Sequence, residues 1–393
     1  KCLKAHGVDT SARTQAPPTI SPVQDVNLGA IASQVLWAAF ALAVIFGAIA
    51  QRTHFCTMGA VADIVNIGDW SRMRMWVLAI GVAMLGFNTM VAVGWLDAGK
   101  SIYTPPRLIW LSNALGGLLF GFGMVLASGC GSKTLVRIGG GNLKSLVVFA
   151  VLGIAAFATL KGITGVARVA TVDRVALELA GTQDLPSIVA RTFGVAKPWA
   201  AHVASVVLGG ALVVWVLLRR EGRTRDVLTG GIGIGAVIAA MWWVSGRLGF
   251  IAEDPNTLQE AFVGTNSQRM ESLSFVAPIA YTIDWLIFFS DKSKVLTIGI
   301  VSTVGVIAGS ALVALATRTF RWEGFANAED TGNHLIGAVL MGVGGVTAMG
   351  CTVGQGLSGL STLALGSFIA FAGIVSGAVL ALRYQVWRLE RMA

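Results

Sequence analysis

Charged residues are scarce in this sequence: Asp, Glu, Lys and Arg make up 12% of 393 residues, where a soluble domain carries about 25%. With 55% hydrophobic residues, the chain cannot cover a water-facing surface, and lipid is the expected solvent. Proline is rare, at 9 residues, and the four cysteines, Cys2, Cys56, Cys130 and Cys351, are far apart with no CxxC pair. That spacing excludes a disulfide framework and a zinc site. The histidines His6, His54, His202 and His334 are scattered, so no metal centre is expected. No Walker, GxSxG or HExxH motif occurs, and no cofactor is implied. The GGIGIG run at 230–235 opens an apolar segment with no strand before it, which fits helix packing and not dinucleotide binding. Residues 1–27 lack the apolar stretch of a signal peptide and read as a flexible polar tail.

What is abundant is apolar sequence in lengths suited to a bilayer. Spans are expected at 28–50, 75–97, 108–128, 143–162, 199–218, 228–245, 295–316, 334–349 and 363–382, since a crossing helix takes about 20 residues. The run at 334–349 is short and Gly-rich. The segment 274–290 is broken by Pro278 and Asp284 and reads as a partial or re-entrant helix. The fold class is therefore all-α and polytopic, with about nine spanning helices plus short re-entrant ones. The net charge is +9; its Lys and Arg fall at the ends of apolar runs, so the partner is a lipid bilayer and not nucleic acid. The densest cluster is Arg219–Arg225, followed by Arg72 and Arg74, by Lys133, Arg137 and Lys144, by Arg318 and Arg321, and by Arg383, Arg388 and Arg391. With these placed in the cytoplasm, nine crossings put the N-terminus outside, the loop 163–198 outside and the C-terminus inside. Trp37, Trp70, Trp95, Trp110, Trp322 and Trp387 fall near span ends, as interfacial belts require.

The chain echoes itself. GGLLFGFGMVLASGC at 116–130 aligns without gaps on GAVLMGVGGVTAMGC at 337–351, and a cysteine ends both runs. A weaker echo sets QRTHFC at 51–56 against GRLGFI at 246–251, pairing Arg52 with Arg247 and Phe55 with Phe250. An odd number of crossings between copies makes such a repeat inverted. Residues 28–393 then form one transmembrane domain with halves at about 28–198 and 199–393.

Cys56, Cys130 and Cys351 each follow an apolar run and precede a small, polar, Gly-rich stretch: TMGAVADI, GSKTLVRIGGGN and TVGQGLSGLS. Such stretches suit half-helices buried in protein or lining a cavity. A broken helix exposes N–H groups and a positive dipole end that attract an anion. Gly129, Gly131 and Gly350 remove side-chain bulk beside the cysteines. A protonated thiol in apolar surroundings adds a soft sulfur and a weak S–H donor, which suits an anion with a soft terminal sulfur. The plainer alternative is that a buried cysteine is a small apolar filler. Arg52 and His54 beside Cys56, and Lys133 beside Cys130, supply positive charge near such a path or serve as interfacial anchors. Gln355 can donate hydrogen bonds from the second Gly-Cys loop.

At these cysteines the chain resembles the YeeE/YedE family of sulfur-transport membrane proteins, through QRTHFCTMGAVAD at 51–63, GFGMVLASGCGSKTLVRIGGGN at 121–142 and LMGVGGVTAMGCTVGQGLSG at 340–359. The resemblance implies thiosulfate uptake across a bacterial inner membrane. It implies an hourglass-like body whose short helices meet at a waist, with Cys56, Cys130 and Cys351 passing the ion along by S–H contacts. It also suggests a small cytoplasmic TusA-like sulfur-carrier protein as partner. A thiol enzyme holding a persulfide on one cysteine is the competing reading, and it needs an activated thiolate that no neighbouring base provides. A passive small-anion channel with the cysteines as packing is the third.

Overall fold

The computed structural model describes residues 28–255 and 257–392; the tail 1–27, with Cys2, lies outside the described residues. Fourteen α-helices follow in order: α1 Leu28–Thr53, α2 Thr57–Ile67, α3 Ser71–Ala92, α4 Trp110–Leu126, α5 Gly131–Gly139, α6 Leu143–Lys161, α7 Ile163–Ala170, α8 Leu185–Phe193, α9 Lys197–Leu217, α10 Arg225–Trp243, α11 Ala277–Ile287, α12 Ile298–Ala316, α13 Ala328–Thr347 and α14 Leu365–Met392. Strand structure among the described residues is confined to two-residue pairs in the connections, 107–108 with 177–178 and 250–251 with 261–262. The architecture is all-α and polytopic.

Eight helical segments among the described residues are long and apolar enough to cross a bilayer: Leu28–Ile67, Ser71–Ala92, Trp110–Gly139, Leu143–Lys161, Lys197–Leu217, Arg225–Leu248, Ile298–Ala316 and Leu365–Arg391. The ninth span expected at 334–349 corresponds to α13, whose 20 residues reach about 30 Å. Its first turn carries Glu329 and Asp330, which lower its apolarity and set it apart from the eight. The partial helix expected at 274–290 is α11, 11 residues long with Pro278 in its first turn, too short to cross.

Glycine decides how the long helices meet. A methyl group on Gly116 would run into the Ala348 amide and the Gly344 carbonyl, and one on Gly123 would meet the Gly337 carbonyl at 2.7 Å. These two pairings run in opposite senses, so α4 and α13 are antiparallel with backbones in direct contact. Adding 221 to each α4 position turns one pairing into the other. Around this pair, α14 lies against α4 and α6 against α13; α12 lies against α1 and α10 against α3. Gly117 opposite Ala370 and Gly121 opposite Ile374 make α4 and α14 parallel.

After Phe250 the chain forms a short hairpin and loop, 249–276, before α11; α2 and α11 are each 11 residues long, and each packs on the long helix that follows it.

The basic helix ends gather at one end of the bundle. Arg74 pairs with Glu221, Lys144 with Asp330 at 2.8 Å, and Arg388 with Glu329 at 3.0 Å. Gln51 and Arg321 both approach the turn after α5. The opposite end, built from the connections 93–109, 162–196 and 249–276, is nearly balanced: Lys197 faces Asp97, Lys100 pairs with Glu260, and Arg168 with Asp173. The six tryptophans near span ends are all exposed at the surface.

Candidate functional site

Each of the three described cysteines stands at the N-cap of a short helix. Cys56 caps α2 in an extended conformation, and its sulfur accepts the Gly59 amide at 3.4 Å. Cys130 caps α5, with its sulfur 3.2 Å from the Ser132 hydroxyl. Cys351 precedes the helix of residues 352–361, widened to π turns over Gly354–Gly359, and accepts the Gly354 amide at 3.4 Å. A thiol that accepts an amide at the cap keeps its S–H free to donate elsewhere.

The approach to each cysteine is the same. Two residues earlier stands a non-glycine residue in the left-handed region: His54 at φ 52°, Ser128 at φ 55° and Met349 at φ 59°. The next amide reaches back five residues: Phe55 to Ala50 at 3.2 Å, Gly129 to Met124 at 2.8 Å, and Gly350 to Gly345 at 2.8 Å. This bonding closes one helix and turns the chain so that the cysteine opens the next. Left-handed backbone costs a side-chain-bearing residue about 1–2 kcal/mol. Three such residues at one spacing show that the turn is imposed by the surrounding packing.

All three sulfurs are buried, Cys56 at 7%, Cys130 at 1% and Cys351 at 0% exposure. The Cys130 sulfur lies within electrostatic range of both others. Between Cys130 and Cys351 runs the stretch Leu273–Val276, with Leu273, Phe275 and Val276 buried: Phe275 lies beside Gly131 and aims its amide at the Cys351 sulfur, while Ser274 lies beside Gly354. Lys133, in the first turn of α5, has Cys56, Cys130, Arg72 and Arg137 within electrostatic range.

The remaining expected residues sort differently. Gly129 packs against the Lys133 side chain and Gly350 against Gln355. The Gln355 amide donates to the Ala348 carbonyl, and its own carbonyl oxygen is buried without a partner. Arg52 and His54 are exposed at the end of α1, outside the buried thiol cluster, although His54 remains within electrostatic range of Lys133. Sequence reading passed over two hydroxyls. Thr57 and Thr352, each directly after a cysteine, are buried to 1% and 0% and leave their hydroxyl oxygens unpartnered. The repeated Cys-Thr dipeptide was the available signal.

A cavity of about 240 Å³ is lined by residues of the 93–109, 162–196 and 249–276 connections and by Met349 and Gly350, next to Cys351. Its walls include Tyr103, Arg168, Glu271, Ser274 and Tyr281. Arg168 is held there by Asp173 at 3.2 Å and by the Val346 carbonyl at 3.4 Å. No group of three or more His, Cys, Asp or Glu side chains among the described residues is arranged to hold a metal ion.

Residues 52–380 match the family model described as Sulphur transport, and the chain belongs to that family. It is similar to the thiosulfate transporter TsuA of Escherichia coli (strain K12), with 26% identity over 317 residues, 80% of this chain and 84% of that protein. It is also similar to the thiosulfate transporter TsuA of Spirochaeta thermophila, with 25% identity over 350 residues, 87% of this chain and 97% of that protein. The probable transporter YedE of Escherichia coli (strain K12) is 31% identical over 94 residues, 23% of this chain and 21% of that protein.

Proposed function

We propose that this member of the Sulphur transport family carries thiosulfate, or a closely similar small sulfur anion, into a bacterial cell across the inner membrane. The observation that carries this reading is the threefold arrangement of a buried cysteine at the cap of a short helix, with Cys130 within electrostatic reach of the other two. Each cap offers a partial positive charge from the helix end, and the Cys56 and Cys351 sulfurs, which accept cap amides, keep an S–H free to donate. The unpartnered hydroxyls of Thr57 and Thr352 give the anion's oxygens a donor where an apolar wall would leave them desolvated. Soft sulfur meets thiol, and hard oxygen meets hydroxyl and amide.

The path runs from the cavity, past Cys351, to Cys130 and then to Cys56. The cavity ends beside Cys351, Cys130 stands between its two partners, and Cys56 is followed by the helix that carries Asp63, paired with Arg72 at 3.1 Å near the basic end. Arg168 lines the cavity, paired with Asp173, and Lys133 draws the anion onward past Cys130. Gly129, Gly131 and Gly350 add no side chain of their own to the passage, while Arg52, His54 and Gln355 border it. The cationic end faces the cytoplasm by the positive-inside tendency. With α13 counted as the ninth crossing, α1 starts outside and α14 ends inside. Residues 28–393 act as one transport unit with halves at about 28–198 and 199–393. The cationic inner face suits a small TusA-like sulfur-carrier protein as the acceptor.

No His, Asp or Glu hydrogen-bonds any of the three sulfurs among the described residues, which weighs against a persulfide-forming enzyme. The test is uptake of radiolabelled thiosulfate by liposomes containing the purified chain, with unlabelled sulfite, sulfide, sulfate and selenium analogues as competitors. Uptake is expected to be inhibited by soft sulfur anions and little affected by sulfate. Equal inhibition by sulfate would reject the thiol-lined path, and no uptake above empty liposomes would reject transport of thiosulfate altogether.

A further inference from the structure

Five acids at the loop end of the bundle pair with cations: Asp97 faces Lys197, Glu260 pairs with Lys100, Glu178 with Arg107, Asp173 with Arg168 and Asp284 with Lys294. Glu271 does not. Its carboxylate accepts the Ser267 hydroxyl at 2.9 Å and the Asn266 amide, and among the described residues no Lys, Arg or His lies within salt-bridge distance. It is also on the wall of the cavity that ends beside Cys351. An anion entering that cavity meets like charge when Glu271 is ionised, and meets an O–H donor when it is neutral.

The backbone fixes this carboxyl in place. The Ser245 hydroxyl donates to the Glu271 carbonyl and accepts from the Glu271 amide at 3.2 Å. Ser245 belongs to the π turn Val244–Leu248 that ends α10. The other ionisable groups around the cavity leave Glu271 without compensation. Tyr103 from the 93–109 connection and Tyr281 from α11 stand nearest. Asp284, behind Tyr281, is held by Lys294 at 2.6 Å, and Arg168 across the cavity is held by Asp173. Arg247 on the π turn and Arg269 on the loop are exposed, and the Cys351 thiol lies beyond Gly350. Burial pushes the Glu271 carboxyl up to about 7, so both of its states are populated at ordinary external pH.

Building on the transport reading above, we propose that Glu271 is a proton-operated gate of the outer cavity: its neutral carboxyl admits and hydrogen-bonds the sulfur anion, and its ionised carboxylate excludes it. The proton comes from the outer solution and returns there; no bond to sulfur is made or broken. By linkage, anion and proton bind the cavity cooperatively, each raising the affinity of the other by the same factor.

The test uses the full chain in liposomes, with internal pH and membrane potential clamped and external pH varied. Initial uptake of labelled thiosulfate is expected to fall about tenfold between about pH 6 and about pH 8, the change in neutral fraction of a group titrating near 7. Glu271→Gln, which keeps a donor and cannot ionise, is expected to hold the low-pH rate across the range. A flat wild-type profile, an unchanged fall in Glu271→Gln, or loss of uptake at about pH 6 by correctly folded Glu271→Gln would each overturn the gate. A second measurement needs no variant: adding thiosulfate to lightly buffered, detergent-solubilised wild type at about pH 7.5 should draw protons from the medium, and no proton uptake would overturn the proposal. Uptake with a flat profile rejects the gate alone, whereas absence of wild-type uptake at every pH rejects the transport reading and the gate with it.

Discussion

Replacing Cys130 by Ala isolates the central thiol. Its sulfur is buried to 1% and touches the Ser132 hydroxyl at 3.2 Å, so the substitution deletes one heavy atom and one S–H donor without exposing a charge. The cost to folding is that of a small truncation, about 1 kcal/mol on the scale of Ile→Val. The cost to transport is a hydrogen bond to a charged group, worth about 1.5–3 kcal/mol, with S–H at the weak end. At about 1.4 kcal/mol per decade, uptake efficiency should fall roughly tenfold, while expression and melting temperature change little. Cys130→Ser should recover part of the loss, because a hydroxyl donates more strongly but sits on a shorter bond and lacks the soft sulfur. The assay is initial-rate uptake of labelled thiosulfate into liposomes, normalised to inserted protein. If Cys130→Ala, inserted at wild-type levels, transports within about twofold of wild type, the thiol contributes no binding along the path and the relay reasoning fails.

The remaining expectations concern packing and sidedness. Gly116→Val places a side chain against the Ala348 amide and Gly344 carbonyl and should cost several kcal/mol by overpacking, read as loss of monodisperse protein after detergent extraction. Gly210→Ala, with open space around it, should be neutral or stabilising by up to about 1 kcal/mol from helix propensity, read as an unchanged or raised melting temperature. Thr192→Cys, on α8, should react in intact cells with a membrane-impermeant maleimide, whereas Arg220→Cys should react only after the membrane is opened. Both variants are made with Cys2→Ser, and the native thiols Cys56, Cys130 and Cys351 are buried and should add little background; the opposite labelling pattern would invert the proposed orientation.

The apolar runs, the basic helix ends and the three cysteine motifs were legible in the sequence because each is a local property of composition or spacing. Residues 116–130 and 337–351 likewise announced their likeness through letters alone. The expected bounds of the first span, 28–50, came within three residues of the observed end at Thr53, since lipid rewards an unbroken apolar stretch whatever its neighbours. α13 was read too short because Glu329 and Asp330 interrupt hydropathy without interrupting hydrogen bonding; Asn327 caps the helix before them.

Tertiary structure decided the rest. That His54, Ser128 and Met349 share one left-handed conformation could not be read from three unlike side chains, because the turn is imposed by the helices packed around it. That Glu271 lacks a cation while Asp173 and Asp284 have one depended on which distant residues the fold brought close. Sequence determined which segments are apolar enough to enter the membrane, since that follows from the free energy of single residues in lipid. Only the folded chain determined which broken ends face one another and which polar groups are left without partners, because those are properties of pairs far apart in the chain.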